Sequence, residues 1–350
     1  MIVTLERFQE EQKGGMPPAV EGVSLRDQVV IVTGASTGIG YQAAKHFAIR
    51  EPSRLILVCR TEEKGQAAVK RRFPELLSQR RQIHQVTIEL KAETGFQNTE
   101  TWTADLSSFA SVRALKEKID QLERLDILIE NAGIFMWNYE TTHDGWENTL
   151  QVNLLGPALH LVLHIPKLLK TAKNHSGNVP RVVIVTSDVH YWDTIPIHAI
   201  DAPNTLKFMS DEDNFNREKR YTETKTTFVR ALQSHVDSVT CCAVNPGLCF
   251  TDISRRFTAE KAESYRKLEE ELAFTAEEGS RQLVYAAIGH RDREEELKGG
   301  YVSFSKVQEC SDFILSQDGQ RLQKKLWVEV MEIVANVDGT TEEIIGSYLS

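Results

Sequence analysis

Residues 28–40 read QVVIVTGASTGIG, a β-branched apolar run stopped by glycine and followed by a turn with glycines at 34, 38 and 40. An apolar run without alternation suits a strand buried on both faces. YQAAKHFAIR follows at 41–50 with helical spacing. A glycine turn between a strand and a helix lets the backbone approach a pyrophosphate at the helix N-terminus. Three residues separate Gly34 from Gly38, so this is not the G-x-G-x-x-G form, and the lysine of a phosphate-loop NTPase is missing. A plain tight turn is the alternative, but the position directly after the first strand favours a dinucleotide site made by Gly34, Ser36, Thr37, Gly38, Ile39 and Gly40.

Outward from this turn the pattern repeats. Strand-like RLILVCR (54–60) precedes a charged helical stretch, TEEKGQAAVKRRFPELL (61–77). ETWTADL, FASVRALKEKIDQL, LDILIENAG, a long helix around residues 147–169, RVVIVTS, a helix from near Tyr221 and SVTCCAVNPG continue it. Apolar strands alternating with amphipathic helices predict an α/β fold: a Rossmann-type doubly wound parallel sheet covered on both faces. Residues 1–26 read as an N-terminal arm ending in GGMPPAVEG, and 27–350 as one Rossmann-type domain. Residues 78–101 and 192–219 are longer than ordinary connections. The segments 192–219 and 252–275 read as substrate-loop and lid regions, and residues 318–334 as an amphipathic helix of a C-terminal extension.

The 350 residues are 41% hydrophobic, enough for a large core, and carry a formal net charge of -9. That balance argues against a general nucleic-acid or anionic-membrane binder. The five cysteines show no metal-ligand spacing and no disulfide framework, which points to a reducing compartment. No uninterrupted apolar stretch of membrane-spanning length and no signal-peptide core are evident, so a cytoplasmic protein is expected. His160 and His164 have i, i+4 metal spacing, but no third ligand accompanies them on an apolar helix, so packed or surface histidines and no metal site are expected.

The second strand ends at Cys59-Arg60. A fold that prefers NAD places a carboxylate near here for the ribose 2′-hydroxyl; a guanidinium instead grips a 2′-phosphate. Arg60, with the Ser36 hydroxyl, therefore selects NADP(H) as the expected cofactor.

Tyrosine stands four residues before lysine twice, at Tyr41-Lys45 and in RYTETK as Tyr221-Lys225. The ordered set Thr33–Gly40, Asp105-Leu106, Asn131-Ala132-Gly133, Asn153, Ser187, Tyr221 with Lys225, and Asn245-Pro246-Gly247 resembles the short-chain dehydrogenase/reductase family over about residues 27–260. CR after the second strand, LIENAGI, TSDVHYW and EEGSRQLVYAA resemble its retinol-dehydrogenase-like branch, especially fungal reductases of secondary metabolism. The resemblance implies that Tyr221-Lys225 is the catalytic pair and that Tyr41-Lys45 is a helix-surface coincidence. Positions i and i+4 share one helix face, and a nearby ammonium favours the phenolate of a group whose free pKa is about 10. In the reductive direction Tyr221 would give a proton to the developing alkoxide and Ser187 would donate a hydrogen bond to it. The resemblance further implies that Asn153 holds a water linking Lys225 to solvent, that Lys225 holds the nicotinamide ribose, and that Asp105 with Leu106 meets the adenine. It places Asn131, Ala132 and Gly133 against the adenosine half, and Pro246, Gly247 and Thr251 beside the nicotinamide.

Two positions depart from the pattern: Glu130 stands where asparagine often precedes NAG, and Cys249 replaces an aliphatic. Phe135, Met136, Trp137, Tyr191, Trp192, Phe250 and Phe257 fall on segments expected to surround the cleft, which suits a bulky apolar ketone or aldehyde. The expectation is an NADPH-dependent carbonyl reductase, monomeric or homodimeric, acting on a small apolar carbonyl substrate. The alternatives are a non-redox cyclase or isomerase on the same scaffold and a cofactor-sensing binding protein.

Overall fold

A computed structural model describes residues 3–60, 83–175, 177–224 and 228–349. Among the described residues, eight strands form one sheet in the order β3-β2-β1-β4-β5-β6-β7-β8. They are β1 (Val29–Thr33), β2 (Arg54–Cys59), β3 (Thr99–Thr103), β4 (Ile127–Glu130), β5 (Arg181–Val185), β6 (Thr240–Val244), β7 (Tyr301–Ser303) and β8 (Lys306–Gln308). The first seven run parallel; β8 closes the edge as an antiparallel hairpin with β7.

Because side chains alternate across a strand, one run of valines and isoleucines feeds two cores. Val30, Val32, Ile127, Ile129, Val183 and Val244 face one side with Tyr41, Phe47, Leu90 and Leu283. After an N-terminal helix, α1 (Leu5–Lys13), that side is covered by α2 (Gly38–Ala48), by α3 (Ile83–Thr94) and by Ala276–Ile288. Ile31, Ile56, Leu128, Val182 and Cys241 face the other, under Leu159, Leu163, Leu326 and Val330. The helix Gly156–Asn174 (α4) and the C-terminal helix Gln317–Ala335 supply that cover. Among the described residues, Asn148–Asn174 is the helical stretch long and apolar enough to cross a membrane, and 78% of its apolar window is buried in this core.

The expected parallel sheet is present, with differences at its margins. The charged stretch 61–77 lies outside the described residues. Residues 78–101 contain α3, and 192–219 contains the short helices Ile197–Asp201 and Thr205–Ser210. The N-terminal arm includes a helix, α1 (Leu5–Lys13), capped by the Thr4 side chain. The β7–β8 hairpin and a terminal helix, Gly339–Tyr348, were not legible from periodicity.

The strand that carries Ser187 beyond its C-terminal end is anchored at its other end by a buried ion pair. Arg181 is fully buried; it donates to the Ala286 and Gly289 carbonyls at 3.0 and 2.6 Å and to both Glu294 oxygens at 2.9 and 2.5 Å. Burial pushes the Glu294 pKa up, but the Arg181 hydrogen bond and charge outweigh it and the net shift is downward. A carboxylate depressed on folding adds stability above its unfolded pKa, lost as pH falls through the depressed value. Glu294→Ala leaves a buried guanidinium without its counter-charge and should cost about 3 kcal/mol in denaturant unfolding at neutral pH, with the difference from the parent shrinking below about pH 4.

Candidate active site

The strand order turns back between β1 and β4, so the chain leaves those two strands in opposite directions and opens a crevice at their C-terminal ends. The glycine turn lies there. Gly34 and Gly38 adopt left-handed backbone angles, φ 64° and 59°. A Cβ at Gly34 would lie 2.8 Å from the Ala132 Cα, and one at Gly40 would lie 2.6 Å from the Gly34 carbonyl oxygen and run into the Asn131 amide nitrogen. That amide donates to the Thr33 and Gly34 carbonyls at 3.0 and 3.3 Å. The Thr33 hydroxyl accepts from the Asn131 and Ala132 backbone N–H groups at 2.9 and 3.1 Å. Thus Asn131 and Ala132, expected at the cofactor, are brought against the turn, with Gly133 next to them in sequence.

Thr37 is the N-cap of α2 but its side chain makes no capping bond. The first-turn N–H groups therefore keep their capacity for an anion. Ser36, Thr37, Gly38 and Ile39 are half-buried on the crevice rim. Thr251, on the segment that follows β6, comes to this same rim: its Cγ2 lies 3.6 Å from where a Gly38 Cβ would be. Arg60 follows β2 directly and is exposed, whereas Cys59 is buried and its thiol is pushed up to about 12 by burial. These features fit a dinucleotide with an anionic group near Arg60. Asp105 spends one carboxylate oxygen on the Ser107 N–H and hydroxyl, at 3.0 and 2.7 Å. Leu106 is buried, its carbonyl touching Gly156 so closely that α4 could carry no side chain there.

Asn153 sits in a π-helical turn, Gln151–Leu155. Its side chain accepts from the Ile134 N–H at 2.8 Å and donates to the Ile134 carbonyl at 3.0 Å and the Thr224 hydroxyl at 3.1 Å. The amide ties the segment after β4 to the helix α5 (Arg220–Thr224). Lys225, the other half of the expected pair, lies outside the described residues. Tyr221 is placed by its neighbour: Arg220 is buried, bonded to Glu223 at 3.0 Å, Glu147 at 3.3 Å and the Asn214 carbonyl at 3.1 Å. Glu147 also accepts from the Thr149 and Leu150 N–H groups at 2.8 and 2.9 Å, so one carboxylate joins the start of the long helix to α5. Sequence reading missed Arg220 and Glu147, since a buried pair distant in sequence leaves no local pattern.

Ser187, two residues past β5, donates to Asp188 at 3.1 Å. Burial first, and then Glu11, raise the Asp188 pKa to about 6 against the Ser187 and Asn245 hydrogen bonds. The His190 Nδ1–H donates to the Ser187 carbonyl at 2.8 Å, and burial lowers that imidazole to about 4, so it is neutral. The helix α5 packs against the turn that follows Ser187, and the Tyr221 pKa is raised, by burial first and then by the Asp188 charge.

The Tyr221 ring stacks on Phe135, centroids 5.1 Å apart and planes 16° apart. Phe257 meets Phe135 edge-on at 4.7 Å, and Trp137 and Tyr265 flank Phe257 at 5.5 and 5.3 Å. Of the seven apolar residues expected around the cleft, Phe135, Trp137 and Phe257 form this cage; Tyr265, on the helix α6 (Ala259–Leu272), was missed. Met136 is instead buried in the core, Tyr191 donates to the Glu309 carbonyl at 2.5 Å, Trp192 packs on Phe8, and Phe250 is 58% exposed. Cys249 is buried against Gly279, and burial pushes its thiol pKa up.

The second Tyr-Lys pair is structural. Tyr41 Oη and Lys45 Nζ bind the two oxygens of one carboxylate, Glu93 on α3, at 3.2 and 2.7 Å. Glu130 also proves structural: it pairs with buried His160 at 2.5 Å and accepts from the Thr33 hydroxyl at 3.2 Å. The His164 Nδ1–H donates to the His160 carbonyl at 2.6 Å.

With this geometry in hand, the chain can be set beside known proteins. The family model for short chain dehydrogenases matches residues 75–192. A short chain dehydrogenase of Arthrobotrys oligospora is 30% identical over 332 residues, covering 93% of this chain and 98% of the relative. Short chain dehydrogenase sol3 of Alternaria solani is 33% identical over 290 residues, covering 82% and 92%. The crystal structure of NADPH-bound carbonyl reductase from chicken fatty liver superposes with a TM-score of 0.55 at 18% identity, covering 84% of this chain and 98% of that one. The chain belongs to the short-chain dehydrogenase/reductase family, a family of oxidoreductases that use nicotinamide cofactors.

The packing at the turn makes a direct test. Gly40→Ala should destabilise the protein by about 1–3 kcal/mol in thermal or denaturant unfolding, because backbone on one side and the Asn131 amide on the other leave no room. Gly346→Ala, with open space around the added methyl, should be neutral or slightly stabilising.

Proposed function

We propose that this protein is an NADP(H)-dependent carbonyl reductase that reduces a bulky, apolar ketone or aldehyde, in a cytoplasmic pathway of secondary metabolism. The observation that carries the reading is the position of Tyr221: a phenol stacked on Phe135 within an aromatic cage, on a helix packed against the turn that follows Ser187 at the C-terminal edge of the sheet. Such a cage takes a flat apolar body and leaves a polar group only where the phenol and the serine hydroxyl converge. The five cysteines, all free thiols, suit a reducing compartment.

NADPH, when bound, supplies the hydride for the carbonyl carbon. The residues Gly34, Ser36, Thr37, Gly38, Ile39 and Gly40, with Asn131, Ala132 and Gly133, would hold its pyrophosphate and adenosine portions. Asp105 with Leu106 would meet the adenine, and Pro246, Gly247 and Thr251 the nicotinamide. Arg60 would grip the 2′-phosphate, where a carboxylate would repel it.

On this reading the chain's own groups do the proton chemistry. Burial keeps the Tyr221 phenol protonated and ready to give its proton to the carbonyl oxygen as negative charge develops there. The Ser187 hydroxyl turns from Asp188 to donate to the same oxygen. Lys225 would lower the phenol pKa enough for turnover, and Asn153 holds the catalytic helix in register through Thr224.

The test is NADPH oxidation against a panel of aromatic and polyketide-like carbonyls. Tyr221→Phe should lower kcat/KM by roughly a hundredfold or more on the substrates the parent reduces. Arg60→Ala should shift the NADPH/NADH preference toward NADH by about tenfold or more. Tight NADPH binding with no oxidation against any carbonyl, and no effect of Tyr221→Phe, would instead support the cofactor-sensing or non-redox alternatives.

A further inference from the structure

We infer that the N-terminal helix α1 belongs to the active-site architecture, with Gln12 as a positioning residue that fixes the base of the lid. The Gln12 side chain is 5% exposed and makes three hydrogen bonds to segments 236 and 260 residues away. Its Nε2 donates to the Leu248 carbonyl at 3.0 Å and to the Leu272 carbonyl at 2.9 Å, while its Oε1 accepts from the Leu248 N–H at 3.2 Å. Leu248 starts the segment that leaves the Gly247 turn, and Leu272 ends α6. One amide therefore joins both ends of the lid. Three of its four hydrogen-bonding positions are used, and its partners are backbone groups with little access to water.

The rest of the helix reinforces this tie. Phe8, one helical turn before Gln12, meets the Trp192 ring edge-on at 5.2 Å. The Trp192 indole N–H donates to the Val3 carbonyl at 2.7 Å. Val3, Phe8 and Leu272 form a buried cluster with Tyr191 and Leu248. Thus α1 bridges the turn that follows Ser187 and the lid. The lid base is also closed by its own backbone: the Phe274 N–H donates to the Leu248 carbonyl at 2.9 Å, and the Phe250 N–H to the Phe274 carbonyl at 2.8 Å. Between those ends the lid carries Thr251, at the rim of the glycine turn, and Phe257 and Tyr265, which form the cage at Tyr221. Gln12 acts on these groups through the lid and touches none of them.

Replacing the amide by an isosteric apolar side chain keeps the packing but removes a donor from two carbonyls and an acceptor from one N–H. The lid base should then open more often, without global unfolding. The catalytic consequence rests on the reductase reading; the structural one does not. The experiment is hydrogen–deuterium exchange on the full chain, parent against Gln12→Met, alongside carbonyl-reduction kinetics. Amides of residues 248–274 should exchange roughly tenfold or more faster in the variant, while those of β1, β4 and β5 keep their protection. KM for the carbonyl should rise by a larger factor than kcat falls. Gln12→Glu, which turns a carboxylate oxygen toward two carbonyls, should loosen the lid at least as much. If Gln12→Met does not fold, Trp192→Phe cuts the bond to Val3 at the other end of the strap, and the same exchange is read there. Exchange within twofold of the parent across 248–274 would overturn the inference. Faster exchange in a protein whose parent reduces no carbonyl would uphold the strap and reject the reductase reading.

Discussion

The amide of Asn131 fills space that only side-chain-free residues at 34 and 40 leave open, and the layout of the site depends on that contact. It ties the end of β4 to the turn after β1, on either side of the point where the strand order reverses. Everything else follows from where this junction lies. Parallel strands put all their C-terminal ends on one edge, so Ser187 after β5 and the Asn245-Pro246-Gly247 turn after β6 come to the same crevice. The α2 N-terminus, without a cap from Thr37, adds its partial positive charge to that edge. An anion-receptive turn and a phenol thus share one rim for topological reasons.

Burial sets the protonation states on the phenol side. It raises Asp188 and Tyr221 and lowers His190, so each group is pushed toward its neutral form. At neutral pH the phenol and the imidazole are neutral, which suits the proposed carbonyl pocket, while Asp188 keeps most of its charge and is held by the Ser187 and Asn245 hydrogen bonds. The polar contacts that remain serve placement. His190 holds the Ser187 carbonyl, Arg220 locks the turn of helix before Tyr221, and Asn153 ties that helix to the segment after β4.

Much of this was legible in the sequence because the local rules agree. The continuous apolar strands, the glycine turn and the ordered motifs each point to one parallel fold, and the residues expected at the turn do gather there. Chemistry at a distance was not legible. Nothing near Glu130 announces that it faces His160 and Thr33, and nothing in MIVTLERFQEEQ says that its last glutamine meets Leu248 and Leu272. The aromatic set was half right for a related reason. Phe135 and Trp137 alternate with Met136 along an extended segment, so the two point to the cleft while the methionine goes to the core. Tyr41-Lys45 shows the converse: a spacing identical to that of the proposed catalytic pair, resolved only by the Glu93 carboxylate that both residues bind.

The central claim is that the crevice moves a hydride onto a carbonyl carbon and that Tyr221 supplies the accompanying proton. Turnover of a reactive carbonyl with NADPH deuterated at the transferable position of C4, followed by mass and NMR analysis of the product, tests this most directly. The account predicts one deuterium on the carbinol carbon and none elsewhere. A transformed product that carries no label, or a substrate rearranged with NADPH left unconsumed, would contradict it.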